Sequence, residues 1–245
     1  VRALERYLVC PFKYFAGAVL KLKEEDEGGQ TWTPPERGLF LHRVFETFFK
    51  RWQSAGRKAI TLATLEHALD TVRDIVDEAL GELPAAERAV TRVWLLGSAA
   101  APGLAERLFL LEVDRPGDVL ERLIEFRIEG TFDFADGDRR RKVAVRGVAD
   151  RVDLLSNGML RVLDYKSNRA PNRDQALQLP VYARCAEHLL AERDGRQWKV
   201  GAAAHVAFGD PRLYVPLARR DLTVSLARGE ARLLTVLDGV EAGAF

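Results

Sequence analysis

Only two cysteines, Cys10 and Cys185, occur among 245 residues. No disulfide framework can hold such a chain together, and a reducing, cytoplasmic location is expected. Runs of eighteen apolar residues are missing, and nothing resembles a signal peptide, so no membrane partner is expected. Charge of one sign is missing too: 37 Lys and Arg against 36 Asp and Glu leave +1. A globally basic nucleic-acid coat is excluded, and any such contact must come from local patches. Neither an internal repeat nor a low-complexity tract is visible. With 47% hydrophobic residues, the chain can bury one large core or two modest ones. It starts at Val1 rather than Met, so a fragment or processed product of a longer protein is expected.

What the chain does have is a hairpin signal dense in charge. Val143–Leu155 and Met159–Lys166 are rich in β-branched and aliphatic residues, and Ser156-Asn157-Gly158 between them is a turn signal. Pairing about Asn157 sets Asp150 directly across from Asp164, with Cβ atoms roughly 4.5–5.5 Å apart. Two carboxylates that close repel unless a positive charge lies between them. Strand alternation puts the Lys166 ammonium on the face of Asp164, with Val152 and Val162 as an apolar floor. On the other face Asp153 falls opposite Arg161, an ion pair that needs no metal. Two carboxylates and a lysine on one face describe a divalent-metal hydrolytic site. The plain alternative is a solvated hairpin carrying ordinary surface acids.

Around this hairpin the spacing predicts helices over Arg2–Leu22, Gly38–Trp52, Leu62–Leu80, Ala85–Leu96, Pro102–Leu111, Gln175–Arg193 and Arg219–Val240. Strands are expected around Glu121–Thr131 and over Trp198–Phe208. Glu24–Arg37 reads as a polar connector, and Asp136–Lys142 as an acidic then basic turn. That turn ends in Arg139-Arg140-Arg141-Lys142, either a solvated tip or a contact for DNA. His42 and Glu46 share a helix face at i, i+4.

Gly147-Val-Ala-Asp150-Arg-Val-Asp153 followed by Leu163-Asp164-Tyr165-Lys166-Ser167 resembles the RecB-type branch of the PD-(D/E)xK nucleases. Three further marks match in order: Tyr7-Leu-Val-Cys10-Pro11-Phe12, Gly38-Leu-Phe-Leu-His42 and Gln178-Leu-Pro-Val-Tyr182. The resemblance runs from about Val1 to Phe245. It implies a restriction-endonuclease-like α/β fold, a mixed central β-sheet flanked by helices. The whole of 1–245 would form one nuclease domain, with a helical insert over about 57–115 and a catalytic core over about 1–56 and 116–245. It implies Mg²⁺ or Mn²⁺ held by His42, Asp150, Asp164 and the backbone carbonyl of Tyr165. Lys166 would hold or deprotonate the attacking water, and Gln178 and Tyr182 would orient water or phosphate.

Each of these roles has a plainer counterpart. His42 on an apolar helix could be a satisfied core histidine, and Glu46 a surface acid rather than a partner of His42. Gln178 and Tyr182 could simply pack helix on sheet. Tyr7, Phe12, Tyr14 and Phe15 could stack bases or pack a core. In a branch of the family typified by the AddB subunit, the cysteine matching Cys10 is one of four iron–sulfur ligands. Cys185 matches no cluster position, so this chain alone cannot build the cluster. The expectation is that a parent chain continues beyond Phe245 with Cys-x-x-Cys.

The function implied is a metal-dependent DNA nuclease, an exonuclease on single-stranded ends, within a helicase–nuclease that processes double-strand breaks for recombinational repair. Its partners would be DNA and a helicase domain or subunit. A non-catalytic DNA-binding scaffold and a stand-alone nuclease like those of CRISPR adaptation are the alternatives. The presence of Asp150, Asp164 and Lys166 together favours hydrolysis over the scaffold.

Overall fold

The computed structural model describes residues 1–22, 34–57, 59–81, 83, 85–115 and 118–245. Most of the connector expected over Glu24–Arg37 therefore lies outside the described residues. The chain opens with α1 (Arg2–Val9), a short α2 (Pro11–Tyr14) and a wider turn over Phe15–Val19. The single helix expected over Arg2–Leu22 is broken at Cys10, whose φ of −163° and ψ of 113° are extended. Proline is the reason: Pro11 disfavours helical geometry in the residue before it.

Next come α3 (Pro34–Ser54), α4 (Leu65–Leu80) and α5 (Ala85–Leu96), then α6 (Leu104–Asp114). A two-residue ladder not foreseen in the sequence, β1 (Gly97–Ser98) with β2 (Ala101–Pro102), joins α5 to α6. The main sheet comprises β3 (Val119–Asp136), β4 (Arg139–Leu155), β5 (Met159–Lys166), β6 (Lys199–Ala207) and β7 (Tyr214–Pro216), in that spatial order. It is mixed: β5 and β6 are parallel and the other neighbours antiparallel. The parallel step is bridged by α7 (Gln178–Asp194), and α8 (Leu222–Glu241) closes the chain, its start capped by the Asp221 carboxylate accepting from Val224 N–H. This is the mixed α/β sheet with flanking helices that the sequence implied.

Each face of the sheet carries its own core. Val152, Leu154, Leu160 and Val162 pack under α7 and α8. Leu163 and Tyr165 meet Phe45, Phe48, Phe49 and Trp52 of α3, with α4 and α6 behind. Among the described residues no helix is long and apolar enough to cross a membrane.

The β4–β5 register is the expected one: Val152 pairs with Val162 and Asp153 with Arg161. Gly158, at φ 79°, and the Asn157 side chain, which accepts from Met159 N–H, close the turn. The basic run is placed differently. The β3–β4 turn is only Gly137-Asp138, and Arg139–Lys142 lies within β4. Arg139 pairs with Asp238 and Arg141 with Glu241, so half of the run binds α8 rather than capping a solvated tip.

Candidate active site

A slip in strand alternation builds the site. In β3, Ile124 packs toward the α3 core while Phe126 and Ile128 pack toward the α7 core, although all three share parity. In β4, Ala149 and Val152 face the α7 core despite opposite parity. The breaks fall at Glu125 and Asp150, which oppose each other between the pairs Ile124–Arg151 and Phe126–Ala149. Glu125 has φ 53°, the left-handed region that a residue with a Cβ adopts at a cost. The β4–β5 ladder stops at Arg151–Leu163, and beyond it the Asp150 carboxylate accepts directly from the Tyr165 N–H at 2.7 Å. Both acids thus leave the regular pleat where α3 passes.

His42 on α3 meets them. Its Nδ1 lies 3.5 Å from Asp150 and 3.9 Å from Glu125, and its Nε2 lies 3.1 Å from the Tyr165 carbonyl. Ligand atoms of His42, Glu125 and Asp150 all fall within 4.8 Å of one another. Asp164 turns elsewhere. It accepts from the Lys166 ammonium at 2.7 and 3.0 Å, and His205 Nδ1 on β6 sits 2.8 Å from one of its carboxylate oxygens. Asp150, Asp164 and Lys166 thus come near one another as two adjoining groups. The Asp150 group faces α3, and the Asp164 group faces α7, where Lys166 also donates to Gln178 at 3.3 Å.

Electrostatics join the two groups. Burial and the neighbouring Asp164 push the Asp150 carboxyl up to about 7, against the pull of His42, the Tyr165 N–H and Lys166. Burial would lower the His42 imidazole, yet Glu125, Asp150, the Tyr165 carbonyl and Asp164 together raise it. Asp164 is lowered: burial opposes ionisation, and His205 and Lys166 more than offset that. Among the described residues, the only ion-pair partner of the two carboxylates Glu125 and Asp150 is one histidine. An imidazole, two carboxylates and a peptide carbonyl fit a hard or borderline divalent cation.

A model of the PD-(D/E)XK nuclease superfamily matches residues 1–242. The chain belongs to that superfamily. Curated relatives include an ATP-dependent helicase/deoxyribonuclease subunit of Clostridium botulinum strain Hall, 26% identical over 237 residues, covering 86% of this chain and 19% of that protein. The protein of the same name from Symbiobacterium thermophilum is 30% identical over 196 residues, covering 69% of this chain and 15% of that one. The chain thus spans less than a fifth of the length of these relatives.

Within this nuclease-superfamily fold, several marks of the sequence take structural positions. Gln178 begins α7, whose first amides, Leu177 N–H and Gln178 N–H, both donate to the Glu5 carboxylate of α1 at 2.8 Å. The Tyr182 ring is buried, its hydroxyl so close to Gly147 that a side chain there would collide with it. Glu46 does not support His42; it pairs with Lys50 at 2.5 Å on the helix surface. Tyr7, Tyr14 and Phe15 pack their rings around Phe245, while Phe12 is 66% exposed. Cys10 is half-buried, and Cys185 is buried in α7 with its thiol pushed up to about 12 by burial.

Three residues at this site escaped the sequence reading. Glu125 carries no local motif, though an isolated acid among Ile124, Phe126 and Ile128 was a usable signal. His205 becomes visible only once the parallel pairing of Asp164 with His205 is known. Glu5 acts through a tertiary contact that no spacing announces.

Proposed function

We propose that this chain is the nuclease part of a helicase–nuclease, hydrolysing DNA phosphodiesters with Mg²⁺ or Mn²⁺ at single-stranded ends during break processing and recombinational repair. The observation that carries the reading is the pair of adjoining groups: His42, Glu125 and Asp150 beside Asp164, Lys166 and Gln178. In this reading His42, Glu125, Asp150 and the Tyr165 carbonyl would hold the cation, with Asp164 beside them as a further carboxylate. Bound there, a divalent cation acidifies water and polarises a phosphoryl oxygen.

The remaining chemistry belongs to side chains. Asp164 and Gln178 aim the Lys166 ammonium, which holds the attacking water and offsets charge developing on the phosphate. His205 keeps Asp164 ionised and oriented. Tyr182, pressed on Gly147, fixes the distance between α7 and β4 and so the height of Gln178 above the site. We read residues 1–245 as one nuclease domain, with α4, α5 and α6 as its insert. An iron–sulfur role for Cys10 requires three further thiolates from a longer protein, and this reading does not depend on it. The relatives' name supports a helicase partner and a DNA substrate.

The test is degradation of end-labelled single-stranded DNA with Mg²⁺ or Mn²⁺, comparing wild type with Asp164→Ala and Lys166→Ala. Both variants are expected to lose activity. Undiminished degradation by either one overturns the assignment.

A further inference from the structure

The overall charge balance conceals a local excess beside the site. Lys166 and the connections 167–177 and 208–221 carry six cations, Lys166, Arg169, Arg173, Arg212, Arg219 and Arg220, against three anions, Asp174, Asp210 and Asp221. These segments leave the carboxyl ends of the parallel strands β5 and β6, the end at which open α/β sheets bind ligands. The fold ties them together. Phe208 N–H donates to the Lys166 carbonyl at 2.8 Å and Gly209 N–H to the Asn168 carbonyl at 3.2 Å. Gly209 lies so close to the Asn168 backbone that a Cβ there would be 2.9 Å from it. Arg173 donates to the Pro216 carbonyl at 2.8 Å, and Arg232 of α8 holds the Arg173 carbonyl at 2.8 Å.

We propose that Arg169, Arg173, Arg212 and Arg219 form a phosphate-binding surface that holds the backbone of the DNA strand as it approaches Lys166 and Asp164. The identity of the strand rests on the nuclease reading above. Arg169 and Arg219 are exposed and, among the described residues, make no hydrogen bond, ion pair or ring contact, so the fold does not require them. Of the three acids, Asp210 pairs with Arg212 at 3.2 Å, Asp174 with Arg232 of α8 at 3.5 Å, and Asp221 caps α8, so none forms an ion pair with Arg169 or Arg219. Burial, Arg219 and Arg212 together lower the Arg173 pKa, a sign of like charges crowded at one place. A polyanion would relieve that crowding, and guanidinium groups suit phosphate oxygens. Lys166, at the end of β5, leads directly into the first segment. This local excess also explains how a chain of net charge +1 engages a polyanion.

The test measures binding of a fluorescent oligothymidylate by anisotropy in EDTA, over a series of KCl concentrations, alongside Mn²⁺-dependent degradation. Arg169→Gln/Arg219→Gln is compared with wild type and with Arg146→Gln, a control on the β3–β4 hairpin whose side chain is 83% exposed. The double variant is expected to bind about tenfold more weakly at moderate salt. Its slope of log affinity against log salt should fall by roughly 0.7 for each lost phosphate contact. Arg146→Gln should match wild type, and the single variants should each fall between. Unchanged affinity and slope in the double variant overturn the surface, whatever the degradation shows; so does a wild type that binds no oligonucleotide. Absence of wild-type degradation, with binding still lost in the double variant, counts against the nuclease reading alone.

Discussion

At Asp150 the fold holds a carboxylate under two opposing demands. Burial and Asp164 favour its protonated form, whereas ligation of a cation needs it ionised. Its pKa of about 7 lies above the ~3.9 of an unfolded aspartate. The stability it contributes to the metal-free protein is therefore full below about pH 4 and is lost as pH rises through about 7. Asp150→Asn keeps an oxygen to accept from the Tyr165 N–H and removes the charge. Thermal melts in EDTA at about pH 8, above that pKa, should show this variant more stable than wild type, while its nuclease activity is expected to be lost. A lower melting temperature under those conditions would contradict the account of a frustrated carboxylate. His205 offers a second residue-scale outcome. Orienting partners of ligating groups typically contribute about 10–100-fold in metal affinity or activity. His205→Phe is expected to raise the Mn²⁺ concentration for half-maximal activity by that order, and an unchanged metal titration would remove His205 from the site.

Between elements, the β4–β5 hairpin is anchored by buried charge. Arg151 and Asp153 of β4 and Arg161 of β5 form a network with Glu112 of α6, with Arg151 contacting Glu112 at 2.8 and 2.9 Å and Asp153 at 2.7 Å. The Arg122 and Arg151 guanidiniums lie over the Phe49 ring at 4.9 and 4.4 Å. The Asp153–Arg161 pair that strand register predicted is thus one edge of a network joining α6 to the strand of Asp150. Removing one partner from a buried ion pair typically costs about 3–5 kcal/mol. Glu112→Gln should lower unfolding stability in urea by that order; a loss below about 1 kcal/mol would mean water reaches these arginines. The start of α7 is a second anchor. Glu5→Ala should cost about 1 kcal/mol, as for a lost helix cap, and weaken hydrolysis by freeing Gln178, both measurable against wild type.

For the molecule as a whole, both cores and the shared sheet bring α3 and α7 against one short stretch of strand. A cation bound at His42, Glu125 and Asp150 would stabilise the folded protein by mass action, about 2.7 kcal/mol at roughly a hundredfold excess over its Kd. Calorimetric melts should therefore rise with added Mn²⁺ in wild type and stay flat in Asp150→Asn. A rise of equal size in both would place the ion elsewhere.

His42, Asp150, Asp164, Lys166 and Gln178 were legible because their signals are local: a turn that fixes hairpin register, two-residue strand alternation, and family spacing carried on single elements. The helices that form the two cores were legible from apolar periodicity for the same reason. Glu125 and His205 were not, because each acts across a partnership between strands. One depends on a slip in β3 opposite Asp150, and the other on the parallel neighbour brought in by α7. The split of the acids into two adjoining groups was likewise decided by where α3 and α7 cross the sheet. Amino-acid order sets what each strand and helix can offer; long-range pairing and packing select which offers meet, and no local spacing encodes that choice.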